Sequence, residues 1–180
     1  MRLISCTIEN FGKLNNVTYD FTNDCNTICE DNGWGKSTLA SFIRVMFFGF
    51  KNETKKKLVD KERNRLMPWQ KGVYGGEIVF EANGIVYSLR RTFGKKQADD
   101  EFLLRRKDTN MECDDFSSEI GEELFKIDAQ SFERTVFIGQ SDCVTATTDS
   151  INAKIGNLAD NTDDINNFET AVGRLNAVLN

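Results

Sequence analysis

The chain of 180 residues is 39% hydrophobic and 28% charged, and its 23 basic and 28 acidic residues leave a net charge of −5. That balance suits one soluble globular domain with a core large enough to stand without staples, and it excludes a polycation that wraps nucleic acid, so any such contact must be local. The absence of histidine excludes imidazole-based triads and zinc sites, and five cysteines (Cys6, Cys25, Cys29, Cys113, Cys143) with no C-x-x-C pair read as reduced thiols of a cytoplasmic protein. No signal peptide or membrane span is predicted.

Residues 2–9 alternate loosely and predict a strand, followed by a turn at Asn10-Phe11-Gly12. Val17, Tyr19 and Phe21 alternate with polar residues, a second half-buried strand. After a turn at Thr22-Asn23-Asp24, the β-type residues Thr27, Ile28 and Cys29 predict a third strand that feeds the loop Asn26–Thr38, NTICEDNGWGKST. Strand, glycine-containing loop and helix start are the setting of a phosphate-binding P-loop. Backbone N–H groups point outward at a helix N-terminus, and the helix dipole adds partial positive charge there. Gly33 and Gly35 let the main chain approach phosphate oxygens without a Cβ in the way. Asn32, Gly33, Trp34 and Gly35 are then the cradle. Lys36 would reach the β- and γ-phosphates, the Ser37 hydroxyl would ligate Mg²⁺, and Thr38 would meet the α-phosphate. One position departs from G-x-x-x-x-G-K-[S/T]: Glu30 stands where the first glycine belongs, with Asp31 beside it.

A helix is predicted over about 36–48, with Leu39, Phe42, Ile43, Met46 and Phe47 on one stripe and Val45 and Phe48 off it, so more than one side is covered. Gly49 is its stop. Residues 51–66 hold seven Lys/Arg against three Asp/Glu, a basic loop or short helix that either contacts nucleotide or DNA or is simply solvated. Trp69 and Tyr74 follow in a turn-rich connection, where each is available for packing or for stacking on a base.

Asn83-Gly84 between two β-rich runs predicts a hairpin with Ala82 opposite Ile85, Phe80 opposite Tyr87, Ile78 opposite Leu89 and Glu77 opposite Arg90. Beyond a polar loop at 94–100, residues 102–106 predict a strand that turns near Asp108-Thr109-Asn110. Phe116, Ile120 and Leu124 mark a short helix face, Asp128 caps a second short helix ending near Arg134, and 135–138 predict a strand closed by Gly139-Gln140. In the tail, Ile165, Phe168, Val172, Leu175 and Leu179 recur at 3-4-3-4 spacing, the start of a coiled coil or an ordinary packed helix. Residues 1–145 thus divide from a helical segment at 146–180.

The order of these parts resembles the N-terminal half of an ABC-type ATPase head from the SMC-like group, which includes SbcC, SMC proteins, RecF and RecN. The carrying residues are the opening strand with Ile8-Glu9-Asn10-Phe11-Gly12, the loop Asn32–Thr38, the β-rich insert, and Phe137-Ile138-Gly139-Gln140. The resemblance implies an α/β fold: a P-loop NTPase, lobe I of an ABC-type ATPase, with a mixed or antiparallel sheet around the P-loop helix and a C-terminal helix that starts a coiled coil. It implies ATP and Mg²⁺ as ligands, with Gln140 as the glutamine that contacts Mg²⁺ and the attacking water, so that Lys36 and Gln140 are the catalytic residues. It also implies action on DNA in repair or maintenance. No run of apolar residues ending in Asp-Glu and no Leu-Ser-Gly-Gly-like signature occurs in the chain. By the resemblance these come from the C-terminal half of the full-length protein and from a second head, and the fragment alone is expected to be inactive. Two other readings use the same loop: a small P-loop kinase or GTPase, and a coiled-coil scaffold with a decayed nucleotide site.

Overall fold

The computed structural model describes residues 1–22, 25–50 and 61–137. The chain divides into two units, Met1–Ala129 and Gln130–Asn180, and of the second the described part is 130–137. The first unit is built on a five-stranded antiparallel sheet in the order β2-β1-β3-β4-β5, formed by β1 (Arg2–Phe11), β2 (Leu14–Asp20), β3 (Gly75–Ala82), β4 (Ile85–Thr92) and β5 (Glu101–Arg106). Among the described residues every pairing is antiparallel, which favours the antiparallel form of the expected mixed or antiparallel sheet.

Strand periodicity sets the two faces of this sheet. Tyr19, Cys6, Ile78, Leu89 and Leu104 are successive cross-strand partners and form one row across all five strands. Cys6, Ile78, Leu89 and Leu104 are buried. The opposite face carries charge. Lys107 reaches Glu77 at 3.7 Å, while Arg90, directly opposite Glu77, turns its guanidinium to Glu9 on β1 instead.

Helix α1 (Lys36–Phe48) spans the predicted residues and stops at Gly49, whose φ is 68°. Leu39, Phe42, Val45, Met46, Phe47 and Phe48 are all buried, so the helix is covered well beyond one stripe. Phe42 meets Phe11 edge-on at 5.3 Å, and Phe47 meets Phe80 at 5.5 Å. Gly76 makes this approach possible: a Cβ there would lie 2.1 Å from the Thr7 carbonyl oxygen and 3.1 Å from the Phe42 ring. Phe50, Tyr74 and Phe93 extend the aromatic cluster beyond the helix end. Helix α3 (Ile120–Phe125) closes over α1 through Phe125, which stacks on Phe48 at 5.9 Å.

The hairpin has the predicted register at every pair, and Asn83 and Gly84 both take positive φ (53° and 79°), as a tight hairpin turn of this type demands. Three expectations fail. Thr27-Ile28-Cys29 is not a strand: Thr27 and Cys29 are exposed, and no neighbouring strand among the described residues offers a ladder to its β-type residues. Two strands, not three, therefore precede α1. Thr135 to Phe137 is not a strand either. Thr135 ends helix α4 (Ala129–Thr135), with its hydroxyl donating to the Ser131 carbonyl at 2.7 Å, and the Val136 and Phe137 N–H groups both return to the Phe132 carbonyl at 2.9 Å. Local helix-closing bonds outcompete the β-branched side chains there. Ile138, the predicted strand's last residue, and the tail seam at 165–179 lie outside the described residues.

The basic stretch is described from residue 61. Its short helix α2 (Glu62–Arg65) is a structural clasp through Arg63, while Arg65 stays exposed. Arg63 is buried, grips Asp100 with two bonds of 2.6 and 2.8 Å, donates to the Gly94 carbonyl at 3.0 Å and lies over the Phe50 ring at 4.7 Å. Buried Arg44 on α1 pairs with Glu62.

Candidate functional site

Three contacts position the loop before α1. Trp34 sets its ring edge-on against Tyr19 of β2 at 5.8 Å, and the Trp34 N–H donates to the Asp31 carbonyl at 3.2 Å, making a tight turn. Gly33 takes φ 83° in open space and Gly35 takes φ 128°; a Cβ on Gly35 would lie 2.9 Å from the Leu14 side chain and 3.3 Å from Lys13 Cε. Gly35 is therefore required twice, by its backbone and by its neighbours. The β1–β2 turn thus seats Lys13 beside the loop.

Gly35 is the N-cap of α1 and supplies no side-chain hydrogen bond, and the first turn holds no acidic residue. The leading N–H groups of a helix have no partner within it, so this end presents donors and partial positive charge to whatever lies in front. Lys36 is exposed, and its Nζ donates across the loop to the carbonyls of Glu30 (2.6 Å) and Asp31 (3.0 Å). Glu30 itself is exposed and is not in the left-handed region, so a residue with a Cβ fits where the motif has glycine. The glutamate meets Lys36 through its main chain, not its carboxylate.

In front of the helix lies a cleft of about 690 Å³, bordered by Gly12, Lys13, Ser37, Thr38, Ser41, Arg65, Leu66, Met67, Trp69 and Gln70. Of the sequence-predicted residues, Ser37 and Thr38 border it; Asn32, Gly33, Trp34, Gly35 and Lys36 form the loop beside it. Gln140 lies outside the described residues. Sequence reasoning missed Lys13, Met67 and Gln70 as wall residues, whereas Arg65 belongs to the basic stretch offered for nucleotide contact and Trp69 was offered for stacking on a base. They reach the cleft because the Gly12 N–H donates to the Leu66 carbonyl at 2.6 Å, and because Gly12, at φ 57°, brings its Cα so near α1 that a Cβ would sit 2.9 Å from Thr38 Cγ2. The glycine ending Ile8–Gly12 was the available signal. Tyr74, offered for stacking on a base, is buried and donates its hydroxyl to the Arg63 carbonyl at 3.1 Å. Asn10 is likewise structural, its amide donating to the Val73 carbonyl at 3.1 Å.

Among the described residues no group of three or more His, Cys, Asp or Glu is placed to hold a metal ion by itself, and no helix is long and apolar enough to cross a membrane.

A glycine loop leading into an uncapped, acid-free helix start beside a wide cleft defines a P-loop NTPase-type domain. The family model of the AAA domain matches residues 5–178, and the chain belongs to that family, a domain of SMC/SbcC-like ATPases. Over 90 residues the chain is 39% identical to the uncharacterized protein YhaN of Bacillus subtilis (strain 168); the match covers 49% of this chain and 8% of that much longer protein.

Proposed function

We propose that this domain is the ATP-binding N-terminal half of an SMC/SbcC-like ATPase head that works on DNA, in repair or chromosome maintenance, in the cytoplasm. The observation that carries the reading is the start of α1, which is uncapped, free of acid in its first turn, and opens on the cleft through Ser37 and Thr38. A triphosphate laid along this end would take the N–H groups of residues 33–38, and its charge would draw Lys36 off the Glu30 and Asp31 carbonyls. Lys13 and Arg65 add positive charge on the wall.

The residues fit Mg²⁺ as a companion of the nucleotide rather than as a resident ion. Ser37 brings one hydroxyl to the cleft, so the remaining oxygens would come from phosphate, water and Gln140. Bound there, the cation would offset charge that develops on the transferred phosphoryl group. This chain's own residues hold and orient the triphosphate; the carboxylate that polarises water and the signature motif would come from the C-terminal half and a second head. Residues 1–145 serve as the head lobe and 146–180 as the start of the coiled coil. Since phosphoryl transfer depends on positioning and electrostatics, half a site should turn over near background.

Amide hydrogen exchange tests the assignment. ATP with Mg²⁺ should slow exchange in peptides covering residues 30–40 of the wild type and leave the same peptides of Lys36→Ala unchanged. Protection elsewhere but not there would place the nucleotide at another site and end this reading.

A further inference from the structure

Resting on the reading of the cleft as a nucleotide site, we infer that Trp69 is the platform on which the base of the bound nucleotide stacks. Trp69 has a relative exposure of 101%, so this large, mostly apolar side chain is covered by nothing in the described fold. The exposure is not that of a stray segment. Residues 62–66 are clasped by the Arg63–Asp100 pair, and the Leu66 carbonyl accepts the Gly12 N–H at 2.6 Å, three residues before the tryptophan. The indole follows this anchored segment and lines the same cleft that Ser37 and Thr38 border.

Volume and lining support the assignment. At about 690 Å³ the cleft exceeds what a phosphate chain needs and falls in the range of pockets that enclose a whole small molecule. The lining mixes both chemistries a nucleotide needs: Ser37, Thr38, Lys13 and Arg65 are polar or basic, Leu66, Met67 and Trp69 are apolar, and Gln70 adds an amide. An aromatic face pairs with any base because every base has a π-face, while a thioether suits its edge. Gln70 carries both a donor and acceptor with which to meet polar atoms on the base. The other tryptophan, Trp34, is already packed against Tyr19, and Tyr74 is buried, which leaves Trp69 as the aromatic side chain on the cleft wall.

The test compares ATP with inorganic tripolyphosphate, each with Mg²⁺, by calorimetry on the wild-type chain, Trp69→Ala and Trp69→Phe. Trp69→Ala should weaken ATP binding by roughly tenfold or more, as expected for loss of base stacking, and leave tripolyphosphate binding unchanged. Trp69→Phe should recover most of the loss. Because the side chain is exposed, the thermal melt of both variants should match the wild type. ATP binding that is equal in wild type and Trp69→Ala would overturn the inference and leave the phosphate loop standing; Trp69 would then be a surface for a macromolecular partner. A wild type that binds neither ligand would remove the nucleotide reading, and this inference with it.

Discussion

At the scale of single residues, Glu30 is the departure from the P-loop pattern, and its geometry makes the departure mild. Its carboxylate is not part of the cleft wall, and its carbonyl is what Lys36 meets. An exposed charge of this kind is worth about 0–1 kcal/mol, so Glu30→Gln should change ATP affinity by less than about fivefold in a titration; a larger gain would mean that the carboxylate faces the phosphates. Cys6 gives a second residue-level prediction. Burial pushes its thiol up to about 12 from an ordinary 9.0. The folded state therefore keeps a proton that the unfolded chain releases above about pH 9, and the contribution is complete below that value. It is lost as pH rises between about 9 and about 12, at up to about 1.4 kcal/mol per pH unit. Urea unfolding at pH 8 and pH 10.5 should show a smaller alkaline loss in Cys6→Ala than in the wild type; equal losses would contradict the assignment.

At the scale of elements, what was legible in the sequence was local. The hairpin could be read to its register because Asn83-Gly84 and the alternation on either side are short-range signals. Helix α1 was legible from its stripe and Gly49. Thr27-Ile28-Cys29 misled because β-type residues form a strand only beside a partner, and a partner is a property of the fold. The clasp of α2 was hidden for the same reason: a basic run does not reveal that Arg63 is buried on Asp100, 37 residues away. Removing one member of a buried pair leaves the other uncompensated, so Arg63→Ala should cost roughly 3 kcal/mol in denaturant unfolding. Because the clasped helix leads into the cleft-lining residues 65–70, ATP affinity should fall as well. Gly76→Ala probes the fit of sheet against helix. With the Thr7 carbonyl 2.1 Å from the new Cβ, the backbone must shift, and a loss of about 1–3 kcal/mol is expected. A neutral effect would mean that α1 is not packed as closely as described.

At the scale of the whole molecule, the cleft proposed to hold the nucleotide is assembled from pieces distant in sequence: the β1–β2 turn, the start of α1 and residues 65–70. Only the middle piece carries a motif, which is why Ser37 and Thr38 were named by position, while Arg65 and Trp69 were offered only as alternatives to a solvated loop and to packing, and Lys13 was not offered at all. The clasp, the Gly12–Leu66 bond and the Trp34–Tyr19 contact hold these pieces around one cleft. The proposed function requires a C-terminal half and a second head, so ATP with Mg²⁺ should not dimerise this chain in light scattering. A nucleotide-dependent dimer would show that the half-site account is wrong.

Calorimetry of ATP with Mg²⁺ on the wild type and Lys36→Ala decides whether the loop before α1 binds the triphosphate. Lys36 is exposed and bonded only to loop carbonyls, so its loss should leave the fold intact. The wild type should show saturable one-to-one binding, and the variant no measurable binding at the same concentrations. Equal affinity in the two proteins would contradict it.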